Sequence, residues 1–158
     1  MKLIGGIFFF ALIGLLLFGC KPEPTFPIVP ELSFKTFDQP TQTDYLNVVF
    51  SFTDGDGDVG MAPTDTGFNM LLTVYVPDAN GNFIVLDNTD TPEADSIVYN
   101  YRIPTLTAEQ SGLQGDIYVT NEHKSWIGRD TLQFNAFLID KAQHRSNLVR
   151  TKTVILTH

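Results

Sequence analysis

The chain of 158 residues contains one cysteine, Cys20, and none after it. Disulfides are therefore excluded from everything beyond position 20, and stability must come from an apolar core, with or without a metal. Basic residues are also scarce: ten Lys and Arg stand against eighteen Asp and Glu, giving a net charge of −8. Such a balance provides no electrostatic footprint for nucleic acid, and none for anionic headgroups by charge alone. Histidine is rare too, and His123, His144 and His158 have no mutual spacing suited to zinc, so each reads as a surface residue. No nucleophile elbow is present, and no motif sets a His beside a Ser. Acids for glycoside hydrolysis would have to share one turn, with no opposing acid across a cleft. The expectation is a protein that is not an enzyme.

A helical period is the next absence. Beyond Pro30, short alternating or β-branched runs recur between turn signals, at 31–37, 46–53, 69–76, 83–86, 97–103, 116–120, 131–139 and 148–156. Only 107–110 has the makings of a helical turn. Strands with no helix between them predict an all-β, antiparallel sandwich of seven to eight strands, a single domain spanning 31–158. Asn80-Gly81, set between two apolar runs, signals a hairpin because both residues tolerate positive φ.

What the sequence has in quantity is acid in one place. The strand Leu46-Asn47-Val48-Val49-Phe50-Ser51-Phe52-Thr53 runs into Asp54-Gly55-Asp56-Gly57-Asp58-Val59-Gly60. Three carboxylates on alternate residues repel one another unless a positive charge sits among them. Glycines at 55 and 57 allow the curl that lets oxygens converge, and oxygen ligands without His or Cys describe a hard cation such as Ca²⁺. The alternative is a solvated Asp-Gly turn between strands. Asp54, Asp56, Asp58 and Asp65 fall at positions one, three, five and twelve of an EF-hand loop. Val59, however, stands where that loop requires glycine, and no helices flank it, which argues against an EF-hand. Gly55-Asp56-Gly57-Asp58-Val59-Gly60 also spells G-x-G-x-x-G, but a pyrophosphate there would meet two aspartates, and Pro63 follows instead of a helix N-terminus.

The leading segment has its own logic. Lys2 precedes an uncharged run from Leu3 to Phe18, in the form of a secretory signal and short for a membrane span. Leu17-Phe18-Gly19-Cys20 resembles the lipobox of bacterial lipoproteins, although Phe18 is bulkier than the small residue usual at that place. The resemblance implies a signal peptide over 1–19, cleavage before Cys20 and acylation there, with several acyl chains giving a durable anchor. The mature chain would be one unit more acidic, since Lys2 leaves with the leader. Prolines at 22, 24, 27 and 30 then predict an extended tether over 20–30, a spacer of roughly 30 Å at about 3.1 Å per residue. Residues 25–29 could instead begin the first strand.

A second loop completes the reading. The strand at 131–139 leads into Asp140-Lys141-Ala142-Gln143-His144-Arg145-Ser146-Asn147. A strand ending in T-D-G-D-G-D-V-G, paired with a late I-D-K-A-x-H-x-S-N hairpin, resembles a group of lipoproteins from Gram-negative bacteria with one immunoglobulin-like domain. Leu113-Gln114-Gly115-Asp116-Ile117 and Tyr101-Arg102-Ile103-Pro104 share the likeness. It implies an immunoglobulin-like sandwich on the outer membrane and no particular activity. In that fold the loops after strands B and F share one end, so Asp140 is expected to join Asp54, Asp56 and Asp58 around a structural Ca²⁺, unless it is simply a turn initiator. Arg145 and His144 read as a solvated hairpin tip.

The expected function is a membrane-anchored binding or scaffold module with a protein or glycan partner, on the periplasmic or the outer side. The alternative is a carbohydrate-binding accessory of a nutrient-uptake system, with Trp126 beside Tyr99 or Tyr101 as a platform.

Overall fold

Alternation sets where strands form, and the register shows which face each one buries. The computed structural model describes residues 25–39, 45–88, 95–96, 98–105, 112–122 and 129–156. The leader, Cys20, Trp126, His123, His158 and the 107–110 turn lie outside the described residues. The strands are β1 (Glu31–Asp38), β2 (Tyr45–Asp54), β3 (Met70–Pro77), β4 (Phe83–Val85), β5 (Asp87–Asn88), β6 (Asp95–Ser96), β7 (Val98–Tyr101), β8 (Leu113–Glu122), β9 (Thr131–Leu138), β10 (Val149–Arg150) and β11 (Val154–Ile155).

One sheet has the order β1-β2-β8, and the other has β10-β9-β3-β4 with β7 also on β3 and β11 also on β9. All of their pairings are antiparallel. These neighbours are those of A-B-E packed on G-F-C-C′, so the domain is an immunoglobulin-like sandwich. Nine strands fill only seven positions. Strand β3 is flanked on one edge by β7 against Met70–Thr73 and β4 against Tyr75–Pro77, and β10 and β11 divide one edge of β9 in the same way. The expected strand at 148–156 is broken because Thr151 substitutes its side chain for the ladder: its Oγ1 accepts the Phe134 amide, while its own amide donates to the Phe134 carbonyl. The small β5–β6 pair was not anticipated from the sequence.

The core lies between the two inner faces. In β2 the inward row is Leu46, Val48, Phe50, Phe52 and then Asp54, all buried. It meets Met70, Leu72, Val74, Leu132, Phe134 and Leu138 from the other sheet. Each large side chain buried there contributes about 1.5–3 kcal/mol. Phe52 extends over Gly115 on the neighbouring strand, where a Cβ would come within 3.3 Å of the ring. At the same end of the domain, the exposed Asn147 acts as an extra strand partner. Its Oδ1 accepts the Leu32 amide at 2.8 Å and its Nδ2 donates to the Leu32 carbonyl at 2.9 Å, joining the β9–β10 loop to β1.

The tether differs from a free spacer. The Pro27 carbonyl accepts the Gly55 amide at 2.7 Å and Pro30 is buried, so its described part lies against the domain. Proline-rich chain keeps its carbonyls as acceptors, and the curl at Gly55 presents a donor to one of them.

Candidate metal centre

Asp54 is the last residue of the inward β2 row, so strand periodicity alone points its carboxylate into the core end. It is 0 % exposed. Oδ2 accepts the Val59 amide at 2.9 Å, while Oδ1 is buried with no hydrogen-bond partner. After Asp54 the chain turns under two constraints that favour glycine. At Gly55 a Cβ would stand 2.3 Å from the Phe26 carbonyl oxygen and 2.7 Å from that of Pro27. At Gly57 the backbone has φ 72°, in the left-handed region. The reversal brings Asp56 and Asp58 back towards Asp54, and one carboxylate oxygen from each of the three lies within 4.8 Å of the others. Val59, which spoils the EF-hand pattern, is a core residue at 2 % exposure; its side chain fixes the loop while its amide holds Asp54.

The loop is supported from three sides. Besides the Pro27 contact, the Gly112 amide donates to the Gly55 carbonyl at 3.0 Å, and the Ala142 amide in the β9–β10 loop donates to Asp58 Oδ2 at 3.1 Å. Asp58 Oδ1 is buried without a partner. Two such carboxylate oxygens in one loop are costly, since a desolvated acceptor without a donor forfeits about 1–3 kcal/mol and a charged one more. The electrostatics agree. Burial, reinforced by the charges of Asp56 and Asp58 and opposed by the Val59 amide, pushes the Asp54 carboxyl up to about 6. Asp58 is raised by burial and then by the charges of Asp140 and Asp56. Asp54, Asp56 and Asp58 form a cluster that can hold a metal ion, and carboxylate-only donors suit a hard divalent cation.

The structure does not bring Asp140 into that cluster. It is buried at the start of the β9–β10 loop, with Oδ1 accepting the His144 amide at 2.7 Å and Oδ2 lying 2.8 Å from His144 Nδ1. The turn-initiating role accounts for both of its oxygens, and its share in the site is the charge it places near Asp58. Asp65 likewise closes a local turn, with Oδ2 accepting the Ala62 amide at 2.7 Å. Arg145 is exposed, as a hairpin tip should be, and its guanidinium also stacks 3.6 Å from the centre of the Phe137 ring. Tyr99 and Tyr101 pack against the core, and the Tyr101 hydroxyl donates to Asn121 Oδ1, which removes them from an exposed platform. Sequence reasoning missed the supports from Pro27, Gly112 and Ala142. All three act through backbone groups, which leave no residue-type signal.

Elsewhere, a groove of about 740 Å³ crosses β1, β2 and β8. Its Asp116 is engaged by Lys35 and Ser51 and held below the usual carboxylate range by those two hydrogen bonds. Compared with models of known protein families and with curated proteins, the chain matches none.

Proposed function

We propose that the chain is a lipoprotein anchored through Cys20 to the outer membrane of a Gram-negative bacterium, and that its sandwich is a non-enzymatic binding or scaffold module whose acidic pole carries a structural Ca²⁺. The observation that carries the calcium reading is the pair of buried carboxylate oxygens, Asp54 Oδ1 and Asp58 Oδ1, that belong to the cluster's residues and have no donor. A divalent cation satisfies both and turns the mutual repulsion of Asp54, Asp56 and Asp58 into shared attraction. It would replace the cross-link that a chain without core cysteines lacks. A binding role fits the groove over β1, β2 and β8, whose carboxylate Asp116 is neutralised by Lys35.

Melting of the purified chain during a Ca²⁺ titration tests the metal. Saturation at a hundred times Kd stabilises by about 2.7 kcal/mol, and extracellular modules saturate at millimolar levels. A melting temperature unmoved by millimolar Ca²⁺ removes the ion from the reading. For the anchor, Cys20→Ala should release the protein from the membrane fraction; a variant that still sediments with membranes would rule out lipidation as the tether.

A further inference from the structure

The acidic loop and the tether meet at one pole, and that pole also carries apolar side chains that the core does not use. Phe26 and Pro27 lie against Gly55. Ile28 and Val29 follow at 58 % and 45 % exposure. Phe68, 44 % exposed, borders a cavity shared with Asp65, Asp140 and Lys141. Leu148, 57 % exposed, adjoins the Asn147 that clasps Leu32. Of the three acids at this pole Asp54 is buried and Asp56 is exposed, so Asp56 is the carboxylate presented to solvent, with exposed apolar side chains on the segments that flank the loop. Such a pole suits neither bulk water nor, without a cation, any anionic partner.

The length of the tether supplies the partner. Five residues lie between Cys20 and Phe26, and the six steps from one to the other span at most about 20 Å even when fully extended. Strand β3 runs eight residues, about 26 Å, from Met70 at the acidic end to Pro77, so the hairpin at Asp78–Asn82 is the far pole. With the tether docked at Gly55, the acidic pole is the one beside the lipid. Of the six oxygens on the three carboxylates, Asp54 Oδ2 and Asp58 Oδ2 already accept backbone amides, and the four that are left fall short of the six to eight that Ca²⁺ takes. Asp56 leaves the site open to solvent, so an outside oxygen can complete the shell.

We propose that the acidic pole closes onto a phosphate-bearing lipid surface, with the cation held by Asp54, Asp56 and Asp58 taking a lipid phosphate oxygen while Ile28, Val29, Phe68 and Leu148 enter the acyl boundary. This rests on the anchored, calcium-binding reading above. The cation reverses the sign of the pole, and the flanking apolar side chains gain the burial that water denies them. The module then lies against the membrane in the presence of Ca²⁺ and stands off it when the ion is removed.

The experiment uses the full lipidated chain in vesicles. Acylation consumes the Cys20 thiol, so a single new cysteine can carry an environment-sensitive fluorophore. Labels at Phe68→Cys and Leu148→Cys should shift to the blue and be quenched several-fold more by brominated lipid when Ca²⁺ is added to phosphatidylglycerol vesicles. The effect should disappear with a chelator and in Asp56→Asn. A label at Ile84→Cys, exposed near the hairpin pole, should stay in water throughout. Labels at 68 and 148 that remain aqueous while Ca²⁺ still raises the melting temperature overturn the membrane-facing pole and leave the metal site standing. A melting temperature that ignores Ca²⁺ removes the metal site and the bridge together. Equal insertion with and without chelator also overturns the proposal, because the cation then plays no part.

Discussion

Two acidic turns in this domain look alike in sequence and are opposites in charge environment. At the β3–β4 hairpin, Asp78-Ala79-Asn80-Gly81-Asn82 surrounds one half-buried carboxylate with its own turn: Oδ1 accepts the Asn80 and Asn82 amides, each at 2.8 Å, and these bonds hold the carboxyl below its usual range. At the end of β2, Asp54-Gly55-Asp56-Gly57-Asp58 gathers three carboxylates and gives Asp54 a single amide, leaving an oxygen unpartnered and the carboxyl raised to about 6. One loop satisfies its acid from within. The other holds acid in reserve for something positive. What separates them is the direction of the strand residue that opens the turn, since Asp54 ends an inward row and is fully buried, whereas Asp78 follows the last strand residue and keeps partial contact with water.

Substitutions can break that contrast. The largest effect is expected at Gly55→Ala, where the new methyl meets two backbone carbonyls that cannot rotate away; a loss of about 3 kcal/mol in denaturant unfolding should come with release of residues 25–30 to proteolysis. Gly81→Ala in the hairpin meets nothing within 4 Å and carries only the strain of φ 84°, so its cost should be about 1 kcal/mol. Equal losses at the two glycines would mean that the tether is not docked.

Asp54→Asn should act in opposite directions with and without metal. In chelator it removes a buried charge and two repulsions, for a gain of about 2 kcal/mol at pH 7, less than the full shift of the carboxyl would imply. In millimolar Ca²⁺ the gain should vanish, because the variant no longer binds the ion. Asp78→Asn is expected to destabilise slightly in either buffer, by losing an ionised acceptor for two amides. Thermal melts of the two variants, with and without chelator, check both signs.

Acidity separates the turns a third way. Between about pH 4 and 6 the folded state holds a proton on Asp54 that the unfolded chain has released, so chelated protein should lose stability as pH rises through that window. Asp58 shifts in the same direction. The lowered Asp78 contributes stability that is present above the ordinary carboxylate range and lost as pH falls through its folded value. Because Ca²⁺ competes with the proton, its stabilisation should be larger at pH 7.5 than at pH 5. A calcium effect independent of pH across that span would place the ion away from Asp54.

The strands were legible from period two: β1, β2, β3 and β9 fall within about a residue of the runs expected for them. The run at 148–156 was read as continuous because alternation cannot reveal that Thr151 takes over a backbone hydrogen bond. At the site, Asp54, Asp56 and Asp58 were legible because alternating acids and glycines have few other uses. Asp140 was not, since a carboxylate that closes a turn and one that binds an ion are the same residue until its neighbours are in place, and here His144 takes both oxygens.

By itself the sequence determined that the described residues are all-β, that no disulfide forms beyond position 20, and that three acids sit where one strand ends; composition and spacing are local properties and need no partner to express them. Only the tertiary structure decided that Asp54, the inward position after Phe52, is fully buried with one oxygen unpartnered, that Pro27, Gly112 and Ala142 support the loop around it, and that tether and acidic pole are the same end of the domain. Those facts arise from backbone groups brought together across long stretches of chain, and a backbone amide is identical at every residue that carries one.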